Sequence, residues 1–160
     1  MPASGAFVFP NLAALNMMEG ATALLKTGSA NYRLALVKST WTPVPTTDEV
    51  WATVSGNEIA TAGQTAYAAG GAALGTVVLN QTAGTIKFTS AAQVWTADGT
   101  GIPAWKYGVI YYLGTLNAKV NPLVGYFLGD ATTIDVPLTT APNTLTVTMN
   151  ASGILSATHS

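Results

Sequence analysis

The side chains able to perform chemistry are few, and their positions do not favour it. The only histidine, His159, is next to the last residue, where a chain is seldom ordered enough to hold an imidazole in a triad or on a metal. There is no cysteine, which excludes thiolate catalysis, thiolate metal ligation and disulfides. We therefore predict no catalytic residue, no metal site and no cofactor, and we expect that the protein is not an enzyme.

Two pairs of carboxylates have the right residue types for general acid–base catalysis: Asp48 with Glu49, and Asp130 with Asp135. Aspartate is more often a helix cap or a turn residue. We predict that Asp48 caps a short helical turn over residues 50–54, and that Asp130 and Asp135 lie in turns.

The pair Gly70-Gly71 is the only candidate for a phosphate-binding loop. It is followed by Ala72-Ala73, whereas a phosphate loop needs a lysine and a hydroxyl residue after its last glycine. The sequence therefore predicts a turn in which glycine adopts positive φ.

Four tryptophans, Trp41, Trp51, Trp95 and Trp105, leave two interpretations open. An exposed tryptophan such as Trp41, beside the turn at 43–45, would give a platform for stacking sugars. A core side chain or an interface anchor is the alternative, which we favour. Trp105 is predicted to lie in the core.

The scarcity of charge is the strongest compositional signal. The chain has 6 Lys+Arg and 7 Asp+Glu, or 8% charged residues, where soluble domains have about 25%. A folded chain of this mass exposes roughly 7,500 Å². Removing water from such a surface costs little hydration free energy, because few ions are buried. We therefore expect the surface to pack against other chains. The lysines are scattered, which argues against nucleic acid. The longest charge-free stretch, Ile59–Ile86, is too polar for a membrane span.

Short strands separated by Gly, Asn and Pro turns dominate the rest of the pattern. The predicted strands are Tyr32–Ser39, Thr76–Asn80, Thr85–Thr89, Val94–Thr96, Trp105–Leu113, Leu123–Leu128, Thr144–Met149 and Ile154–Thr158. Trp105–Leu113 is apolar on both faces and is predicted to be central, and residues 56–75 are predicted to form a long loop. The fold class is mainly β: a single-domain antiparallel β-sandwich or flattened barrel with one or two short N-terminal helices, the first beginning at Asn11.

The predicted organisation is an N-terminal arm and short helix over residues 1–30, followed by a β-sandwich over residues 31–160. The uncharged triplet Phe7-Val8-Phe9 is expected to be buried, either against its own sandwich or, as we favour, in a neighbouring subunit. The residues predicted to contact other copies are Phe7, Val8, Phe9, Leu12, Trp41 and Tyr67.

Several segments also occur in a familiar order. They are the strand Tyr32–Val37, the acidic turn Asp48-Glu49, Asn57-Glu58-Ile59, the segment Thr65–Leu74, Phe88, Val94–Ala97, Trp105–Tyr112, Asn121–Phe127 and Asn150–Leu155. This order resembles a family of small virion structural proteins of tailed bacteriophages, several of which are decoration (cement) proteins. The chain differs from that family in having fewer charges and a longer Ala/Gly stretch over residues 60–73.

The resemblance implies a cement protein on the outer surface of the capsid, made in the host cytoplasm. Its partners would be the major capsid protein and copies of itself, as a homotrimer, with no nucleic acid and no membrane. A tail or baseplate component is the alternative, and a carbohydrate-binding module is a third.

Overall fold

The computed structural model describes residues 6–8, 10, 11, 13, 31–60, 65–82, 85–150 and 154–158. One helical turn, α1 (Trp51–Val54), is followed by a 3-10 turn, Ser55–Asn57. The strands are β1 (Tyr32–Val37), β2 (Ala72–Ala73), β3 (Val78–Thr82), β4 (Thr85–Thr89), β5 (Gln93–Thr96), β6 (Tyr107–Tyr112), β7 (Thr115–Leu116), β8 (Lys119–Val120), β9 (Leu123–Leu128), β10 (Thr144–Val147) and β11 (Leu155–Thr158).

A four-stranded antiparallel sheet with the strand order β2-β1-β6-β9 forms the centre of the fold. All six residues of β1 pair with β6, from Tyr32 opposite Tyr112 to Val37 opposite Tyr107. Because side chains alternate between the two faces of a strand, a strand that is apolar at nearly every position needs cover on both faces. Both faces of β1 and β6 are indeed covered, by two separate apolar clusters.

The larger cluster lies between this sheet and the two smaller antiparallel sheets, β11-β4-β3 and β10-β5. Tyr32 of β1 meets Phe88 of β4 edge to face, with ring centroids 5.1 Å apart. Leu145 and Val147 of β10 enter the same cluster, and so does Trp105. This packing of one sheet on another makes the fold sandwich-like.

The smaller cluster covers the opposite face of the four-stranded sheet with side chains from outside it. Trp51 of α1 stacks flat on Tyr111, with ring centroids 4.8 Å apart and an interplanar angle of 5°. Trp41 packs edge to face on Tyr107 and Tyr126. The segment between β1 and β2 therefore supplies the cover that a second sheet gives on the other face.

The predicted fold class is confirmed as mainly β, antiparallel and sandwich-like. Of the two architectures left open, the described sheets do not close into a barrel. The central position of β6 and the pairing of β3 with β4 also match the prediction. Of the predicted N-terminal helix, Asn11 and Ala13 are helical, and residues 14–30 lie outside the described part.

Two local predictions need correction. The predicted loop over residues 56–75 begins in the 3-10 turn and contains β2, which pairs with β1. Asp48 does not cap α1, whose N-cap residue is Val50 without a side-chain bond. The Asp48 carboxylate instead accepts hydrogen bonds from the Val44 N–H (2.7 Å) and the Trp41 Nε1–H (3.1 Å). It thus holds the turn that places Trp41.

Candidate assembly surface

The four-stranded sheet has two edges, and each is closed by a different kind of contact. At one edge, the outermost strand is the two-residue β2, which pairs with β1 directly after the Gly70-Gly71 turn; we call this side of the sheet the β1 edge. At the other edge, β9 is covered by short backbone contacts from the segments around Val8 and Val50. Unpaired strand edges attract other chains, so these closures determine where the sheet is open to a partner.

A buried carboxylate organises the first edge. Glu58 is 8% exposed, and it accepts hydrogen bonds from the Tyr67 hydroxyl at 2.9 Å and the Gly70 N–H at 2.8 Å. The Tyr67 hydroxyl in turn accepts the Leu36 N–H at 2.8 Å, and the Tyr111 hydroxyl donates to the Gly70 carbonyl oxygen at 2.7 Å. We call Glu58, Tyr67, Gly70 and Tyr111 the Glu58 network.

The glycines of this turn are required by its geometry. Gly70 and Gly71 have φ of +83° and +68°, as the sequence predicts. A Cβ on Gly71 would overlap the Leu34 carbonyl oxygen and lie 2.8 Å from the Cα of Ala35, inside van der Waals contact. The backbone of the turn can therefore lie on β1 only without a side chain at this position.

The electrostatics of the Glu58 network favour a structural role. Burial, followed by the charge of Glu58, raises the pKa of Tyr67 well above its ordinary value. A phenol that holds its proton so firmly is a poor general base near neutral pH. Its donor and acceptor sites are also occupied, by Glu58 and by Leu36. The network is therefore suited to holding the turn on the sheet.

The sequence predicts that Tyr67 contacts other copies, and the structure places it differently. Its side chain is 1% exposed and belongs to the main core, with its ring 5.8 Å from that of Trp95. The small residues around it, Ala66 and Ala68, make it look like part of a surface loop. No sequence pattern indicates its burial, because its partner Glu58 lies nine residues away in a non-periodic segment.

The β9 edge is held, among the described residues, by backbone hydrogen bonds instead of a buried side-chain network. Val8 and Tyr126 form an antiparallel bridge in which the Val8 N–H donates to the Tyr126 carbonyl oxygen (2.7 Å) and the Tyr126 N–H donates to that of Val8 (2.9 Å). Nearer the start of β9, the Leu123 N–H donates to the Glu49 carbonyl oxygen at 2.9 Å. Val8 itself remains 37% exposed.

A glycine of β9 makes room for the aromatic ring that precedes Val8. A Cβ on Gly125 would overlap a ring carbon of Phe7 and lie 2.6 Å from the Val8 carbonyl oxygen. Phe7 also packs against Phe127, with ring centroids 6.4 Å apart, and Phe127 covers Gly108 of β6. Aromatic rings placed over strand glycines compensate for the missing side chain.

Residues 6–8, 10, 11 and 13 form what we call the N-terminal segment, and in this chain it packs against its own sandwich. The Asn11 N–H donates to the Pro45 carbonyl oxygen at 3.1 Å, and Ala13 is fully buried in the main core. Of the two placements expected for the apolar triplet, the structure shows the intramolecular one for Phe7 and Val8. The predicted contact residues Phe9 and Leu12 lie outside the described part.

The tryptophans are all core residues. Their exposed fractions are 5% for Trp41, 8% for Trp51, 7% for Trp95 and 3% for Trp105. Trp41 is therefore not the surface-exposed contact residue predicted from its neighbouring prolines, because Asp48 and two tyrosines hold its ring against the sheet. The premise of the carbohydrate alternative, an exposed tryptophan platform, is not met.

Three of the four candidate catalytic carboxylates each contact a different exposed partner. Glu49 forms an exposed ion pair with Lys119 at 3.2 Å, and Asp135 accepts the Ser39 hydroxyl at 2.9 Å. Asp130 accepts the Thr132 N–H and hydroxyl, bonds that lower the pKa of its carboxyl group. Asp130 is thus the turn residue that the sequence predicts.

Among the described residues, no group of three His, Cys, Asp or Glu side chains could hold a metal ion. Within the same residues, no helix has the length and apolar character needed to cross a membrane. His159 lies outside the described part.

The remaining surface is poor in charge, including the strand edges. The chain exposes 7,892 Å², so its formal charges number about one per 600 Å². In the described part of the chain, the outer strands of the β11-β4-β3 and β10-β5 sheets are β3, β11, β5 and β10, and none of them contains a charged residue or a proline. The third small sheet, β7-β8, differs in carrying Lys119 on β8. Soluble monomers usually protect such edges with lysine, proline or a covering segment.

Comparisons with protein-family models, with curated proteins and with solved structures found no match to this chain.

Proposed function

We propose that this chain is a structural protein of a tailed-bacteriophage virion: a head decoration protein that binds the capsid shell and stabilises it, without enzymatic activity. The observation that carries the proposal is the charge-poor surface with its uncharged strand edges. Association through such a surface costs little desolvation of ions. The order of segments, which resembles that of phage virion proteins, is the reason for proposing a phage virion as the assembly.

A cement protein adds stability by bridging neighbouring capsid subunits in many copies, so that each contact can be weak while the shell gains a large total. This role needs a rigid body, which the sheet covered on both faces supports. Symmetry favours a closed ring of copies, and we propose a homotrimer bound to the major capsid protein on the outer surface of the virion.

The direct test is the copy number of this chain in virions of the phage that encodes it. Purified particles are analysed by quantitative mass spectrometry against the major capsid protein, and immunogold labelling locates the chain. We expect hundreds of copies and label over the head. A few copies with label on the tail would favour the tail or baseplate alternative. Absence from washed particles would overturn a virion role altogether.

The oligomeric state gives a second test that needs no phage. Light scattering of the isolated protein at micromolar concentration should report three chains. A monomer that stays soluble at high concentration would contradict the inference from charge density.

A further inference from the structure

We propose that the β9 edge also binds the N-terminal segment of a second copy of this chain, through the same contacts that it makes within one copy. The inference rests on the assembly role proposed above and names the contact that would link copies. It concerns the bridge between Val8 and Tyr126 and the packing of Phe7 over Gly125.

The complementarity of the two surfaces is the first argument. Gly125 leaves the space that the Phe7 ring and the Val8 carbonyl group occupy, since a Cβ there would clash with both. Phe127 offers an aromatic neighbour to the same ring. This edge therefore selects an extended segment that carries an aromatic residue directly before the bridging residue, and the chain supplies such a segment.

The kind of contact is the second argument. Val8 is fixed by two backbone hydrogen bonds and stays 37% exposed. A backbone hydrogen bond contributes about 1 kcal/mol net, so the bridge can open without unfolding the sheet. The Asn11–Pro45 hydrogen bond and the buried Ala13 side chain would move with the segment to the second copy. An identical bridge with another copy restores the two hydrogen bonds that are lost when the bridge within one copy opens.

The covalent connection permits the exchange. Residues 14–31 separate Ala13 from β1, and a fully extended chain of that length spans at most roughly 60 Å. A globule of 160 residues is roughly 40 Å across. A neighbouring copy in a closed ring is within that reach.

Charge does not oppose the exchange. Residues 1–18 include no Asp, Glu, Lys or Arg. Phe7 has the larger apolar side chain of the two contact residues, Phe7 and Val8. Burial of its ring stabilises the contact equally whichever copy provides the ring. At the high local concentration of a ring, the contact between copies competes directly with the contact within one copy.

Disulfide trapping tests the proposal in the isolated full-length protein. The chain has no cysteine, so V8C and Y126C each introduce one thiol. Residues opposite each other in a hydrogen-bonded antiparallel pair have Cα atoms about 5.5 Å apart, within the range for a disulfide. An equimolar mixture of V8C and Y126C in a mild redox buffer should form a covalent heterodimer.

The matched control replaces V8C by V120C, because Val120 is 62% exposed on the β7–β8 hairpin. We expect at least tenfold more heterodimer from the V8C mixture than from the V120C mixture. The double variant V8C/Y126C reports whether the pairing exists at all. It should close within one chain at high dilution and link chains increasingly as the concentration rises.

Two results would overturn the proposal. One is a double variant that closes only within one chain at every concentration, together with no heterodimer above the control. The other is a double variant that forms no disulfide of either kind, which would contradict the pairing itself. Neither result bears on the copy number in virions, so failure here is distinguishable from failure of the virion role.

Discussion

The two edges of the four-stranded sheet each hold a neighbouring segment of the same chain, but through different kinds of contact. At the β1 edge, a buried carboxylate, two tyrosine hydroxyls and two glycines hold a turn against the sheet. At the β9 edge, a backbone bridge and an aromatic ring over a glycine hold the N-terminal segment, together with the Asn11–Pro45 hydrogen bond and the buried Ala13. Each edge depends on a glycine, but among the described residues the buried charge, Glu58, lies at the first edge.

The difference in burial has an energetic consequence. A buried carboxylate that loses a hydrogen-bond donor keeps its desolvation cost without compensation, so the Glu58 network favours one arrangement and penalises every partial opening. Among the described residues, the contacts of the β9 edge include no buried charge that opening would leave unsatisfied, and its backbone hydrogen bonds can open one at a time. The first edge is therefore suited to a permanent closure and the second to an exchangeable one.

The largest effect is expected at Gly71. G71A would drive a Cβ into the Leu34 carbonyl oxygen at a φ of +68°, so the turn must leave β1. We expect a loss of about 4 kcal/mol in the free energy of unfolding, measured by urea denaturation. G56A is the control, because a Cβ added there would have nothing within 4 Å. A loss below about 1 kcal/mol for G71A would show that the turn does not need this close approach.

Removing the carboxylate of the network should be the next most damaging change. E58A leaves the Tyr67 hydroxyl and the Gly70 N–H without their acceptor, and we expect a loss of about 3 kcal/mol in the free energy of unfolding. E58Q keeps an acceptor oxygen and should lose less than half of that.

The matched control for E58A is E49A, which removes the exposed ion pair with Lys119. Exposed pairs contribute about 0–1 kcal/mol, so E49A should stay within that range. Equal losses for the two variants would contradict the assignment of Glu58 as the organising group.

The same network predicts a loss of stability in alkaline solution. Burial and the charge of Glu58 raise the pKa of Tyr67 in the folded protein. Above a pH of about 10 an unfolded tyrosine loses its proton, while folded Tyr67 keeps its own. Its stabilising contribution is thus complete below that pH and declines above it, by up to about 1.4 kcal/mol per pH unit.

The comparison that isolates this effect is Y67F. Burial also raises the pKa of Tyr111 and Tyr126, so Y67F should still lose some stability in alkaline solution. The variant lacks the two hydrogen bonds of the Tyr67 hydroxyl and should be less stable than the parent near neutral pH. Its free energy of unfolding should nevertheless fall less steeply with rising pH than that of the parent. Urea denaturation at pH values from about 9 to about 11 gives the two slopes. Equal slopes would show that Tyr67 titrates alike in the folded and unfolded chains.

The sequence was informative about the edges only in part. Alternation and turn residues predicted eight of the eleven described strands and the central position of β6, because hydrophobic periodicity depends on local pattern alone. They missed β2, β7 and β8, each of which has only two residues and shows no periodicity. The glycines inside β6 and β9, Gly108 and Gly125, also carried a signal, since an isolated glycine in a strand often marks a close approach. What approaches them, Phe127 and Phe7, depends on pairing between distant segments.

The buried residues of the first edge are harder to predict. Sequence neighbours such as prolines, threonines and small residues make Trp41 and Tyr67 resemble contacts with other copies. Their burial depends on Asp48 and Glu58, whose carboxylates accept the Trp41 Nε1–H and the Tyr67 hydroxyl. Such partners are separated by seven and nine residues within loops, where no periodicity brings them together.

At the β9 edge, G125A should weaken association more than folding. The new Cβ would displace the Phe7 ring and the Val8 carbonyl group, which removes the contact both within and between copies. We expect the dissociation constant of the oligomer to rise about tenfold, or about 1.4 kcal/mol, measured by sedimentation of a dilution series. G99A is the control, because the added methyl group would meet nothing within 4 Å. An unchanged dissociation constant for G125A would place the contact between copies elsewhere.

The smallest effect should be that of salt on association. Ionic strength weakens contacts between exposed charges, because the Debye length falls from about 10 Å at 0.1 M to about 3 Å at 1 M. The proposed contact between copies consists of the two backbone hydrogen bonds between Val8 and Tyr126 and the aromatic packing of Phe7. The uncharged strands β3, β5, β10 and β11 offer no ion pairs of their own. Between about 0.05 M and about 0.5 M NaCl, the dissociation constant of the oligomer should change by less than about twofold. K119A, which removes the exposed ion pair, should leave that insensitivity unaltered. A tenfold weakening over the same range would show that scattered lysines and carboxylates, rather than the apolar edge, hold the copies together.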